Sequence, residues 1–264
     1  MFNAEVRFVA RHRGLTEKLV EAVWNYAPAL RRNGQLANDY SVSRKGTKVR
    51  LVCIIPEKCS MESRFHDVYG KAALRRLVRL TAGSAVTKVA GEAEDTGLSC
   101  LCLRRPSVHF FTNFLHVASP LGCGGCRRTI PFYRLRGLSH ESRDGLLCWQ
   151  WAYQACDDLF MHTGFGERWG YGQLSRLDSG LTAEGLKLRG QLENELKLPV
   201  FYYLHRYWGR SEAAERKRRC PGCGGAWLLP KPDGCFEFRC ERCRLLSSQA
   251  PDFKSSATTN RLFR

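Results

Sequence analysis

The chain has 264 residues, of which 44% are hydrophobic and 25% are charged, and its formal net charge is +17. This apolar fraction is typical of globular proteins, which excludes disorder over most of the chain. The longest apolar runs, such as 51–55, are far shorter than the ~18 residues of a membrane helix, and the N-terminus lacks the apolar core of a secretory signal. We therefore expect a soluble, cytoplasmic protein.

The spacing of apolar residues predicts strands and helices in no regular alternation. Alternating apolar and polar residues indicate a half-buried strand, whereas apolar residues at every third or fourth position indicate a helix. Pro28 should kink or end the first helix, and Ser179 should cap a later one, because its hydroxyl accepts from amides in the first turn. In chain order the predicted elements are a strand over 5–10, a helix from Gly14 to Asn33, a strand over 48–55, a helix over 70–81, a loop over 91–97, strands over 99–103 and 109–118, helices over 144–162 and 180–198, and a strand over 200–207.

Thirteen cysteines without an export signal indicate free thiols or metal ligands rather than disulfides. The clearest pattern is Cys220-x-x-Cys223 followed, after sixteen residues, by Cys240-x-x-Cys243. Two such pairs fit a zinc site with four cysteine ligands, in which each pair turns its thiolates inward to complete a tetrahedron. Two short strands joined by a turn at 231–234 complete the pattern of a zinc ribbon, whose Zn²⁺ site is closed and structural.

A second group of cysteines lies upstream. Cys123 and Cys126 flank two glycines, and Cys100 and Cys102 share one face of the predicted strand 99–103. These four residues form a candidate second metal site. The alternatives are a redox dithiol and a glycine-rich turn with incidental thiols, and the residues alone favour the turn because Cys-x-Cys is a less usual ligand pair.

Positive charge is densest in the C-terminal part. Residues 205–264 contain 13 Lys and Arg against 6 Asp and Glu, a net charge of +7. Glu212 and Glu215 can pair with the arginines four residues later, but most of the basic residues lack such a partner, which predicts a phosphate-facing surface. Nearby rings that can stack on bases are Tyr203, Tyr207, Trp208 and Trp227. The predicted nucleic-acid contacts are Arg206, Arg210, Arg216, Lys217, Arg218, Arg219, Arg239, Arg242 and Arg244.

The C-terminal sequence resembles a known family most closely where it reads LPVFYYLHRYWGRSEAAERKRRCPGCGGAWLL, from Leu198, and CERCRLLS. This is an uncharacterised bacterial family of zinc-ribbon-containing proteins with a suggested nucleic-acid-binding role. The segment from Cys123 to Arg134 and the sequence GER at 166–168 are similar to the same family. The resemblance implies a zinc ribbon and a nucleic-acid partner, strengthens the second metal site, and implies no catalytic residues.

Together these features predict an α+β fold with a mixed or antiparallel sheet and packed helices, plus a small C-terminal zinc ribbon. We expect binding of DNA or RNA without catalysis, because the motifs of a nucleophile elbow, a phosphate loop and a metalloprotease helix are absent from the sequence. The alternative is a protein-interaction module that docks an acidic partner, as a toxin neutraliser or an assembly subunit would. The predicted divisions are an α+β domain over 1–208, a basic linker helix over 209–219, the four-cysteine zinc ribbon over 220–247 and a flexible tail over 248–264.

Overall fold

The computed structural model describes residues 1–37, 40–94 and 96–253, and the chain divides into two compact units. The first unit contains Met1–Leu103 and Leu115–Leu147, and the second contains Arg104–Phe114 and the chain from Cys148 onward. The strands are β1 (Phe2–Val9), β2 (Tyr40–Lys45), β3 (Lys48–Ile55), β4 (Val86–Glu92), β5 (Val108–Phe110), β6 (Leu121–Cys123), β7 (Val200–Tyr203), β8 (Trp208–Gly209), β9 (Leu228–Asp233), β10 (Phe236–Cys240), β11 (Leu245–Ser247) and β12 (Asp252–Phe253). The α-helices are α1 (Thr16–Arg32), α2 (Val68–Leu80), α3 (His140–His162), α4 (Glu167–Ser175), α5 (Gly180–Leu196) and α6 (Glu212–Arg216).

An antiparallel sheet with the strand order β2-β3-β1-β4 forms the core of the first unit. Residues alternate between buried and exposed along β1 and β3, because successive side chains of a strand point to opposite faces. Val6 of β1 is paired with Leu51 of β3, and both are buried in one cluster with Leu19, Val23 and Leu30 of α1. The sheet thus has one face covered by helix.

Five strands of the second unit are hydrogen-bonded in the order β5-β7-β11-β10-β9. The pairs of β7 with β5 and with β11 are parallel, and the pairs of β10 are antiparallel, so the sheet is mixed. Helix α5 packs closely on β7 because Gly185 has no side chain: a Cβ there would overlap the rings of Tyr202 and Trp149. The predicted α+β class with a mixed sheet and packed helices is confirmed.

The compact units differ from the predicted division into a domain over 1–208 and a separate ribbon over 220–247. The hairpin of β9 and β10, which lies between the two cysteine pairs and ends at Cys240, continues the sheet of the second unit. Tyr202 N–H donates to the Arg244 carbonyl and Leu204 N–H donates to the Leu246 carbonyl, both at 2.9 Å. These main-chain bonds across β7 and β11 join the ribbon segment to residues that the sequence assigns to the large domain.

Several local predictions also differ from the structure. Helix α1 continues through Pro28 to Arg32, because the loss of one main-chain bond is offset by the buried side chains around it. In the predicted strand 99–103, Ser99 forms only an isolated bridge, since the chain there turns to gather its cysteines. Ser179 caps α5 as predicted, accepting from Thr182 N–H at 3.2 Å.

The predicted flexible tail, 248–264, begins with ordered structure. Strand β12 pairs in parallel with β8, and residues 254–264 lie outside the described part of the chain. The predicted linker helix over 209–219 is shorter in the structure, where only α6 is helical. Within the described residues, no helix combines the length and the apolar character needed to cross a membrane.

Candidate metal centres and basic surface

The C-terminal cluster consists of Cys220, Cys223, Cys240 and Cys243, whose sulfur atoms all lie within 4.8 Å of one another. The sulfurs of Cys223 and Cys240 are 3.7 Å apart. A tetrahedral ion with metal–sulfur bonds of about 2.3 Å requires sulfurs about 3.8 Å apart. The spacing therefore fits one ion with four cysteine ligands.

Tight turns bring these sulfurs together. The N–H of Gly224 donates to the Cys220 carbonyl at 2.8 Å, and Gly224 has a φ of +69°. Arg244 directly follows Cys243, as Gly224 directly follows Cys223, and it has a φ of +53°. This left-handed conformation has a conformational free-energy cost of roughly 1–2 kcal/mol for a residue with a side chain. The two turns also approach each other closely, because a Cβ at Gly222 would lie 2.9 Å from the Cys243 sulfur.

The upstream cluster consists of Cys100, Cys102, Cys123 and Cys126, and its sulfurs also lie within 4.8 Å of one another. Arg127 N–H donates to the Cys123 carbonyl at 2.7 Å, and Arg127 has a φ of +62°. This turn matches the one between Cys220 and Gly224, although arginine replaces the glycine. The structure thus gathers four thiols where the sequence alone favoured an incidental turn.

Burial and hydrogen bonding set the acidity of these thiols. The Gly225 N–H lowers the pKa of Cys223 to about 7, whereas burial raises the pKa of Cys240 and of Cys123. Several thiolates this close together repel one another unless a cation compensates their charge. Each cluster can therefore hold a metal ion, and four protein ligands leave no open position for a substrate.

Two of the predicted nucleic-acid contacts are half-buried and paired with Glu215. Arg206 and Arg218 both form ion pairs with this carboxylate, which is only 2% exposed. The Arg218 guanidinium also lies 4.1 Å from the centre of the Phe238 ring, and burial lowers its pKa to about 10. Because Glu215 points inward to these arginines, its predicted helical pair with Arg219 does not form.

Two further predicted contacts are paired at the surface. Arg239 and Arg244 each lie 2.7 Å from a Glu241 oxygen, and the Arg239 guanidinium stacks over the Phe201 ring. The other five basic residues are exposed, and within the described residues they form no ion pair, so the predicted pair between Glu212 and Arg216 is also not formed. These five are Arg210, Arg216, Lys217, Arg219 and Arg242.

The aromatic rings predicted as stacking surfaces serve the core instead. Tyr203 and Trp227 are buried, and Tyr207 and Trp208 pack edge-on against Phe160. Among the described residues of the second unit, the most exposed rings lie elsewhere, at Phe165 (93% exposed) and Trp169 (59% exposed). Their exposure depends on the path of the chain into α4, which the spacing of apolar residues does not indicate.

Three family models match the chain, and all three are described only as domains of unknown function. They are DUF8589 over residues 1–91, DUF2310 over 104–205 and DUF8594 over 209–253. Two proteins of Haemophilus influenzae, each named as an uncharacterized protein, are 36% and 35% identical to the chain over 145 residues. Each alignment covers 54% of this chain, and the chain spans 71% of the first relative and 55% of the second.

Solved structures resemble only about a third of the chain. Rv0793 from Mycobacterium tuberculosis is 10% identical and covers 36% of this chain and 97% of its own, with a TM-score of 0.30. A crystal structure described as an antibiotic biosynthesis monooxygenase is 5% identical in sequence. It covers 35% of this chain and 99% of its own chain, also with a TM-score of 0.30. These scores carry no argument about function. The sequence relatives do establish a family: the chain belongs with the uncharacterised Haemophilus influenzae proteins to the bacterial family of the domain of unknown function DUF2310.

Proposed function

We propose that this protein is a zinc-stabilised, non-catalytic protein that binds nucleic acid through an exposed basic surface. The observation that supports the proposal is a set of exposed cations in the C-terminal part, two of which adjoin the cysteines in sequence. Arg219 directly precedes Cys220, and Arg242 lies between the two cysteines of the second turn. This basic surface consists of Arg210, Arg216, Lys217, Arg219 and Arg242.

Zinc is the metal that best suits both clusters. Four thiolates in a closed tetrahedral set are typical of structural zinc, whereas catalytic zinc keeps one position for water or substrate. The same donor set can hold iron–sulfur centres, which would colour the protein. Bound at the C-terminal cluster, zinc would fix the turns that carry Arg219 and Arg242.

The basic surface suits phosphates better than base edges. Lys and Arg side chains that neutralise phosphates release counterions, and binding then weakens as the salt concentration rises. Contacts of this kind position a protein on nucleic acid without reading its sequence. We therefore propose binding with little sequence preference in the cytoplasm.

Removing four of the exposed cations together tests this proposal. The quadruple variant carries Arg210→Ala, Arg216→Ala, Lys217→Ala and Arg219→Ala. It should bind labelled nucleic acid more weakly, and the negative slope of log K against log salt concentration should become shallower by about 3. Fluorescence anisotropy with single- and double-stranded DNA and RNA over a salt series gives both quantities. Arg218 is left intact because its side chain is only 16% exposed.

A matched control removes the same charge from the first unit. Lys18, Lys71, Arg75 and Arg79 are exposed on α1 and α2, and changing all four to alanine should leave binding close to that of the unmodified protein. Equal losses in the two variants would place the binding surface elsewhere. No binding by the metal-loaded protein even at low salt would contradict the proposal.

A second candidate function is docking of an acidic protein. The same exposed cations would serve it, and the exposed rings of Phe165 and Trp169 favour it because large exposed apolar side chains often mark protein interfaces. A protein that co-purifies at fixed stoichiometry, in preparations free of nucleic acid, would support this candidate over the first.

A further inference from the structure

The first unit contains a cavity of about 260 Å³ where β1 begins and β3 ends. Part of its wall is apolar and comes from Phe2, Leu98 and Leu101. Its polar wall includes Glu57, which is 7% exposed. Pockets that bind small molecules are likewise mostly apolar, with a few polar groups that orient the ligand.

One oxygen of the Glu57 carboxylate, Oε2, is paired from within the protein, whereas the buried Oε1 accepts no hydrogen bond from the described residues. Arg134 donates to Oε2 from two nitrogens, at 2.7 and 3.0 Å, and the Tyr133 hydroxyl donates to it at 2.6 Å. Glu57 and Arg134 therefore add no net charge to the cavity. Their ion pair forms a fixed polar end behind the apolar wall.

Two cations at the cavity are not compensated in this way. Lys58 and Arg128 both line it, both are exposed, and neither forms an ion pair within the described residues. The Lys58 ammonium lies 5.3 Å from the centre of the Phe2 ring, which places this charge directly beside the apolar wall. The cavity is open to solvent and thus combines an apolar wall with a net positive rim.

We propose that this cavity binds a small carboxylate with an apolar body. The cavity is open on one side, and its volume of about 260 Å³ leaves room for a six-carbon chain or a ring with a carboxylate. The apolar body lies against Phe2 and the leucines, and the carboxylate faces Lys58 and Arg128. Charge selects an anion, and the apolar wall selects against small inorganic ions.

The upstream cluster helps to shape this site. Leu101 lies between Cys100 and Cys102, and Arg128 is two residues after Cys126. Cys100 N–H donates to the Thr129 carbonyl at 2.7 Å, which ties the two walls together. The site lies entirely in the first unit and shares no residue with the basic surface, so it does not depend on nucleic-acid binding.

Calorimetric titration of the full chain with hexanoate tests the proposal. Hexanoate should bind, whereas hexanol and hexylamine, which keep the chain but not the negative charge, should bind much more weakly. Arg128→Gln and Lys58→Gln should each weaken hexanoate binding about tenfold, as expected for losing a charged partner. Arg136→Gln, which removes an exposed charge that does not line the cavity, is the matched control and should leave binding unchanged.

Three results would overturn the proposal: no heat at millimolar hexanoate, equal binding of hexanol, or equal effects of the Arg128 and Arg136 substitutions. Metal content and melting temperature are measured for each variant, so that a loss of binding is separated from a loss of fold. A fourth variant, Leu101→Asp, places a negative charge in the wall at a mostly exposed position and should abolish hexanoate binding.

Discussion

Glu215 is a buried carboxylate that pairs with two arginines of the C-terminal part. It lies in α6, whose first turn is capped by the Ser211 hydroxyl, and its carboxylate is buried between Arg206 and Arg218. A buried charge is stable only when it is paired and hydrogen-bonded. This one carboxylate therefore pairs with two half-buried arginines, whereas Arg210, Arg216 and Arg219 stay exposed.

Replacing Glu215 with glutamine keeps the volume of the side chain and removes its charge. Glu215→Gln should lower the free energy of unfolding by about 3 kcal/mol, because the guanidiniums of Arg206 and Arg218 then lack their buried partner. Glu212→Gln, an exposed position in the same helix, should change it by less than about 0.5 kcal/mol. Urea denaturation followed by tryptophan fluorescence measures both, and similar small effects would show that the pair contributes little.

The sequence shows where the basic residues cluster along the chain but not which of them are paired within the fold. A pair four residues apart in a helix can be read from sequence, and on that basis Glu215 was expected to pair with Arg219. The observed pair with Arg206 spans nine residues and exists only because the chain turns back between β8 and α6. Pairing of this kind depends on tertiary structure, which local spacing does not contain.

Three cysteine turns share one backbone conformation across the molecule. The residue directly after each Cys-x-x-Cys pair, Arg127, Gly224 or Arg244, has a φ between +53° and +69°. Glycine adopts this conformation without strain, whereas other residues incur a steric penalty. Only one of the three turns carries the residue that favours it, so the other two turns incur a steric penalty that their surroundings must offset.

Gly224→Ala measures this penalty without a steric clash, because a Cβ at Gly224 meets no atom within 4 Å. The substitution should lower the free energy of unfolding by about 1–2 kcal/mol and speed metal loss to a chelator. Gly190→Ala, in the interior of α5 with equally open surroundings, is the matched control and should instead stabilise by up to about 1 kcal/mol. Equal effects of the two substitutions would show that the positive φ imposes no strain.

Elements with strong periodicity were predictable, and elements defined by their surroundings were not. The predicted strand 48–55 coincides with β3, and the predicted helices over 144–162 and 180–198 overlap α3 and α5. Strand β2 and helix α4 were missed, because mostly exposed residues in β2 and several glycines in and before α4 give no clear apolar pattern. Tertiary contacts determine such segments.

At the scale of the whole molecule, each compact unit contains one complete set of four thiols. Cys100, Cys102, Cys123 and Cys126 all belong to the first unit, and the C-terminal cluster belongs to the second. The sequence indicated the C-terminal set because its spacing follows the pattern of zinc ribbons. The upstream set could not be assigned from spacing alone, since a Cys-x-Cys pair and a Gly-Gly turn leave the direction of the thiols open.

The native protein should therefore contain two zinc ions per chain, each bound by a separate set of ligands. Cys126→Ser and Cys223→Ser should each reduce the zinc that survives dialysis against a chelator from two ions to one, because a hydroxyl is a poor substitute for a thiolate ligand. The double variant should retain none, and Cys148→Ser, an exposed thiol outside both clusters, should retain two. Mass spectrometry of the metal content provides the measurement. One ion in the unmodified protein, unaffected by Cys126→Ser, would remove the upstream cluster as a metal centre, whereas iron in place of zinc would keep both centres and change their chemistry.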